Sequence, residues 1–298
     1  MKEKSRLHGH IYALITTMIW GATFISTKVL LVEFSPVEIM FFRLVLAFIA
    51  LSLINPHRMI FHKLSRELLF AAAGLCGVTL FFLSQNIALS YTLASNVGVL
   101  VSVSPFFTAI LSRILLKDHS FNTGFFIGFL VSITGIILIM FNGNLILKLS
   151  PLGDFLALLC ALVWAFYSIL MNRITVFSPD ALPNTRKVFF YGLLLLLPVL
   201  FFFDFHLGLD RFVSLPNILN MLLLGLGGSA ICYLTWNLAV GILGPVSTSV
   251  YIYLVPVVTI IVSAIVLHES FTPLAFAGGF LILLGLFLSE RKPASQKN

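Results

Sequence analysis

Four uncommon residues recur in the same order along this chain: Trp20 is answered by Trp164, Arg43 by Arg186, Asn86 by Asn237 and Pro105 by Pro256. The shift widens from 143–144 residues to 150–151 partway through, the mark of one insertion between the seventh and eighth apolar windows. Ser35-Pro36 and Ser178-Pro179, Gly128 and Gly278, and Gly135 and Gly285 keep the same order. One apolar unit is thus written twice. Each copy holds an odd number of membrane-length windows, so the second must enter the bilayer upside down relative to the first. Inverted repeats of this kind occur in secondary transporters, which bind substrate where the halves meet.

Composition agrees. Of 298 residues 59% are hydrophobic and only 10% charged, with a mean hydropathy of +1.08; a soluble domain would carry about 25% charged residues. Thirty Phe and seven Tyr suit lipid contact and helix packing. Apolar windows of about 20 residues, each able to span a hydrocarbon core of roughly 30 Å, are cut by Pro, Gly, Asn and charge clusters. They predict helices over 10–31, 36–54, 68–89, 94–116, 123–142, 153–173, 186–203, 217–240, 246–267 and 272–289. The expected fold is an all-α integral membrane protein with ten transmembrane helices, the first five-helix repeat in 1–147 and the inverted second in 148–298. The basic stretch Met1 to His10 leads into a window that lacks a small-x-small cleavage site, so it reads as an uncleaved first helix. Cys76, Cys160 and Cys232 all fall in apolar windows with no metal-ligand or disulfide spacing.

Lys and Arg set the direction, since cytoplasmic loops retain positive charge. With the N-terminus inside, 14 of the 18 cations fall on the inner side; Lys28, Lys148 and Arg211 fall outside, and Arg43 lies within the second helix. The net charge of +7 is then a product of topology, and no basic domain remains for nucleic acid. The expected location is the prokaryotic plasma membrane, with many crossings and both termini cytoplasmic.

Several stretches carry a family likeness. They are Trp20-Gly-Ala-Thr-Phe24 followed by Lys28, Pro36 to Arg43, Leu93-Ala-Ser-Asn-Val97 running into Ser104-Pro105, and Lys117-Asp118 and His268-Glu269 before the last helix of each copy. The pattern resembles the EamA-type branch of the drug/metabolite transporter superfamily over nearly the whole chain. The resemblance implies a ten-helix fold, cytoplasmic termini and export of amino acids or other small metabolites. The acidic residue usual after the fourth helix is displaced here into Lys117-Asp118-His119.

Polar side chains within a membrane tend to face protein or a water-filled cavity, so their positions map an interior. They concentrate in helices 1, 3, 4, 6, 8 and 9, which predicts a cavity walled by those six with helices 2, 5, 7 and 10 outside. The expected lining is Trp20, Thr23, Thr27, Thr79, Phe82, Gln85, Ser102, Trp164, Tyr167, Tyr233, Trp236 and Tyr253. Trp20 and Trp164 sit mid-span rather than in the interfacial belts where Trp gathers; their alternative role is plain helix packing. Pro105 and Pro256 each remove a backbone donor and free the carbonyl four residues earlier, at Val101 and Ile252. Matched in opposite halves, they suit a pair of gates, or simple kinks. Gly124, Gly128, Gly278, Gly279 and Gly285 permit close helix approach or a dimer contact. Arg43 and Arg186 read as structural charges locking their helices, with Glu38 or freed carbonyls as partners for Arg43; direct substrate contact is the alternative for Arg43.

No Asp or Glu lies near the middle of any span, which disfavours a proton relay. The related small multidrug transporters depend on a membrane-embedded Glu in their first helix, and this first helix has none. Paired cations of the kind that sugar-phosphate carriers hold deep in helices 8 to 10 are missing too. No metal or cofactor motif and no catalytic signature is legible, so the chain reads as a non-enzyme without cofactor or metal. It is expected to be a monomer or homodimer whose partners are a small-molecule substrate and the bilayer. The reading is a secondary transporter exporting amino acids or similar small amphiphiles by alternating access. Drugs or nucleotide-type metabolites are the alternative cargo, and a channel or intramembrane enzyme the alternative classes.

Overall fold

Inside a bilayer every backbone N–H and C=O must find a partner within the chain, and a long apolar window achieves this locally as a helix. The computed structural model describes residues 2–61, 63–92, 94–117, 123–140, 150–203, 205–267 and 273–290, and among them there is helix and no strand. The elements are α1 (Lys2–Leu30), α2 (Pro36–Ile54), α3 (Leu64–Tyr91), α4 (Ala94–Val101 and Ser104–Leu116), α5 (Thr123–Met140), α6 (Pro151–Phe177), α7 (Ala181–Phe202) and α8 (Leu215–Leu243). They end with α9 (Pro245–Ser249, a 3-10 turn Val250–Tyr253, then Leu254–Leu267) and α10 (Pro273–Glu290). Six helices are long and apolar enough to cross a membrane, namely α1 from Arg6, α2, α3, α6, α7 and α8; α4, α5, α9 and α10 contribute shorter apolar helices. Asp118, His119, Lys148, His268, Glu269, Arg291, Lys292 and Lys297 lie outside the described residues.

Start signals agree with the sequence where a cap exists. Ser35 accepts from the Glu38 amide (3.3 Å) and its own amide donates to Glu38 Oε2 (2.8 Å), a capping box with Pro36 at the first helical position. Ser150 caps α6 ahead of Pro151 by accepting from the Gly153 amide (3.3 Å). Where no breaker intervenes, helices run past the apolar windows: α1 begins at Lys2 rather than 10, and α6 continues to Phe177 rather than 173. At α1 the added Lys2, Glu3, Lys4 and Arg6 favour helix by propensity, and hydropathy does not register them; at α6 the ladder continues through Ile174–Phe177 until Ser178-Pro179 ends it.

Neighbouring helices come in matched pairs. α1 packs on α8 and α9, while α6 packs on α3 and α4; α2 packs on α7, and α5 on α10. The α5–α10 crossing is the tightest. A Cβ on Gly128 would lie 2.5 Å from the Gly285 carbonyl oxygen, a Cβ on Gly285 the same distance from the Gly128 oxygen, and one on Gly135 2.5 Å from the Gly278 oxygen. Only glycine permits such backbone contact. The outward faces of this pair expose Phe126, Ile127, Leu130, Phe280, Leu283 and Phe287, a surface suited to lipid.

Two further features recur at equivalent places. α3 widens into a π-helical turn at Leu75–Leu80, and α8 does so at Leu223–Ile231. In each, a hydroxyl donates to the carbonyl five residues back: Thr79 to Gly74 (3.5 Å) and Ser229 to Leu224 (2.8 Å). A wide turn leaves carbonyls aimed away from the ladder, and the neighbouring helices use them. Trp20 Nε1 donates to the Gly228 oxygen at 2.9 Å, and Tyr233 Oη donates to the Gly77 oxygen. Turns of this kind gather at functional sites.

Candidate functional site

Aromatic side chains of both halves meet at the middle of the molecule. Trp20 and Trp164 contact edge-to-face with centroids 5.0 Å apart, and Trp236 lies 5.2 Å from Trp20 and 5.4 Å from Trp164. Phe81 joins at 4.9 Å from Trp164, Tyr167 at 4.9 Å and Tyr233 at 5.4 Å. The edge-on pairs among them, Trp20–Trp164 and Trp164–Tyr233, add about 0.5–1.5 kcal/mol each beyond burial. On the side of this nucleus facing α7 and α8, Tyr167 donates to Asn237 Oδ1 (2.8 Å), whose amide donates to Thr185 (2.9 Å), whereas the indole nitrogens of Trp164 and Trp236 meet no acceptor among the described residues.

Beside the nucleus lies a cavity of about 30 Å³. α1 contributes Trp20, Thr23 and Phe24; α2 Arg43; α3 Phe81, Phe82 and Gln85; α4 Gly98, Val101 and Ser102; α6 Trp164; and α9 Ile252 and Val255. Both halves therefore share it. The volume suits about one water.

Trp20, Thr23, Phe82, Gln85, Ser102 and Trp164 of the expected lining are brought together here. Six others are not on the wall. Thr27 donates to the Thr23 carbonyl of its own helix, Thr79 to Gly192 of α7, and Tyr167, Tyr233, Trp236 and Tyr253 are fully buried in helix packing. Wall helices also differ from expectation. α8 supplies no lining residue, because its polar residues Ser229 and Asn237 face α2 and α7, whereas α2 reaches the cavity through Arg43. Phe81, Gly98 and Val255 had no signal in the sequence, since apolar and small residues are the background of a membrane helix, and Phe24 had one only as part of the family-like stretch Trp20–Phe24.

Both prolines stand at interruptions. α4 is broken by a turn at Ser102-Val103, with Pro105 in the first turn of its second stretch; in α9 Pro256 lies in the first turn of the stretch Leu254–Leu267 that follows the 3-10 turn Val250–Tyr253. Val101 and Ile252, four residues before the prolines, both face the cavity.

The two arginines have different surroundings. Arg186 donates to the carbonyls of Asn55 and His57 (2.7 Å for the latter) and so ties α7 to the end of α2. Beside it Lys187 pairs with Glu67 at 2.5 Å. Arg43, by contrast, donates through Nε to Ser229 Oγ at 3.0 Å and lies 3.8 Å from the Phe82 centroid. The carboxylate considered for it, Glu38, is instead held at the other end of the bundle by Arg211 (2.8 Å) and the His206 amide (3.1 Å). Lys28 donates to the Leu89 (2.5 Å) and Thr92 (3.1 Å) carbonyls at the end of α3.

Comparison with known proteins bears on this geometry. The EamA-like transporter family matches twice, at residues 7–141 and 151–291. An uncharacterized transporter of Archaeoglobus fulgidus is 28% identical over 295 residues, covering 95% of this chain and 97% of its own. A probable terminal-alkyne amino-acid exporter of Streptantibioticus cattleyicolor is 25% identical over 300 residues, covering 98% and 97%. A protein known from a crystal structure shares the fold, with a TM-score of 0.72 over 97% of both chains at 17% identity. The two matches together span nearly all of the chain, and it belongs to the EamA-like transporter family, a group of membrane transporters within the drug/metabolite transporter superfamily.

Proposed function

We propose that the protein is a secondary transporter that exports amino acids or similar small amphiphiles by alternating access, with ten membrane crossings, two inverted five-helix repeats and both termini cytoplasmic. The observation that carries this reading is the cavity itself. It is shared by the two halves and edged by Val101 and Ile252, which lie at equivalent breaks in α4 and α9. Interrupted helices at a mid-membrane site are the device by which such carriers open one side at a time. Its small volume fits a state between openings. Aromatic faces and a few polar groups suit a small molecule with an apolar body and a polar head. The name of the Streptantibioticus relative points to the same class of cargo.

The test is flux in liposomes. Purified protein is reconstituted, and labelled amino acids are offered with and without a proton gradient. Saturable uptake or counterflow of at least one amino acid is the expected result. Ion-selective current that does not saturate would replace the carrier by a channel, and saturable flux confined to nucleotide-like compounds would replace the cargo.

A further inference from the structure

Arg43 carries a full positive charge at 2% exposure inside the membrane-length helix α2. Its two contacts, Ser229 Oγ and the face of Phe82, are both neutral. Neither Nη1 nor Nη2 has an acceptor among the described residues, and the acid nearest to it in α2, Glu38, is committed to Arg211. An uncompensated cation at membrane depth is costly, and one hydroxyl with one ring face offsets only part of that cost. The same guanidinium lies on the cavity wall.

The rest of the wall points to the same kind of ligand. Trp164 Nε1 is a buried donor with no acceptor among the described residues, Gln85 makes no hydrogen bond to any of them, and no acidic side chain lines the cavity. The wall thus offers free donors and one positive charge, surrounded by Trp20, Phe24, Phe81 and Val255. A guanidinium fork matches the two oxygens of a carboxylate. A phosphate dianion would leave a second negative charge unpaired against an apolar wall, so the match is to a single carboxylate.

We propose that Arg43 is the carboxylate-binding residue of the transport cavity and restricts cargo to molecules that carry a carboxylate on an apolar body. This rests on the carrier reading above and adds the chemical class that the carrier selects. Substrate arrival then neutralises a charge that otherwise stays unpaired within the membrane.

Binding is read by tryptophan fluorescence of the full-length protein in detergent, titrated with L-leucine against L-leucinamide and with phenylacetate against phenylacetamide. In the wild type each acid is expected to bind about tenfold or more tighter than its amide, the scale of one charge-assisted pair. Arg43→Gln is expected to lose that preference, while Arg43→Lys, which keeps the charge but not the fork, retains part of it. Should Arg43→Gln fail to fold, the wild-type ratio and Arg43→Lys carry the same comparison. Equal binding of acid and amide by the wild type, or an acid preference that survives Arg43→Gln, would overturn the assignment and leave a saturable carrier standing. A wild type that shows no saturable flux of any compound in liposomes would remove the carrier and this assignment together.

Discussion

Single residues in this protein separate into those that hold the nucleus and those that face the cavity, although both sets draw on aromatic and polar side chains. Trp164 does both, since its ring packs on Trp20 and Phe81 and also lines the cavity, and its Nε1 has no acceptor among the described residues. Trp164→Phe keeps one aromatic ring but removes the donor together with part of the indole surface. It should lower stability by about 1–2 kcal/mol and raise the transport KM several-fold, whereas an unchanged KM would return Trp164 to packing alone. Tyr167→Phe makes the opposite test. It leaves Asn237 Oδ1 buried without its donor, and should lower stability by about 1–3 kcal/mol with little change in KM, read by thermal melting and flux on the same samples. From sequence the two aromatics were indistinguishable. A stripe of polar and aromatic residues reports that a helix face is buried, and which neighbour it meets is decided three-dimensionally.

At the scale of elements, the breaks in α4 and α9 and the glycine crossing of α5 with α10 call for different outcomes on substitution. Pro105→Ala and Pro256→Ala each restore an N–H that can bond Val101 or Ile252, closing the ladder near the interruption. Stability should stay level or rise while the maximal transport rate falls several-fold; a rate equal to wild type for both would make the prolines simple kinks. Gly128→Leu drives a side chain into the Gly285 carbonyl, 2.5 Å from its Cβ, and should reduce folded yield sharply in size-exclusion chromatography. The prolines and glycines were legible because each removes something specific, a donor or a Cβ. The π-turns in α3 and α8 were not, since no residue type marks them; they became visible only through the Thr79 and Ser229 hydroxyls reaching five residues back and the aromatic donors that use their carbonyls.

For the whole molecule the decisive prediction is orientation. Arg58 and Asp210 are exposed at opposite ends of the bundle, in the α2–α3 and α7–α8 connections. In a background with Cys76, Cys160 and Cys232 replaced, a membrane-impermeant thiol reagent applied to intact cells should label Asp210→Cys and should reach Arg58→Cys only after permeabilisation. The reverse pattern would invert the proposed topology.

By itself the sequence determined the class of protein, because an apolar excess, membrane-length windows and an ordered repeat leave few alternatives to a helical membrane protein of duplicated design. It also marked Trp20, Thr23, Phe82, Gln85, Ser102 and Trp164, the half of the expected lining that does face the cavity. What only the tertiary structure decided is how charge is shared. Glu38 lies five residues from Arg43 and more than 170 from Arg211 in sequence, yet it pairs with Arg211 and leaves Arg43 to Ser229, Phe82 and the cavity. Distance along a helix sets which face a side chain occupies; which partner fills the space opposite depends on how distant helices pack, and no local pattern encodes that.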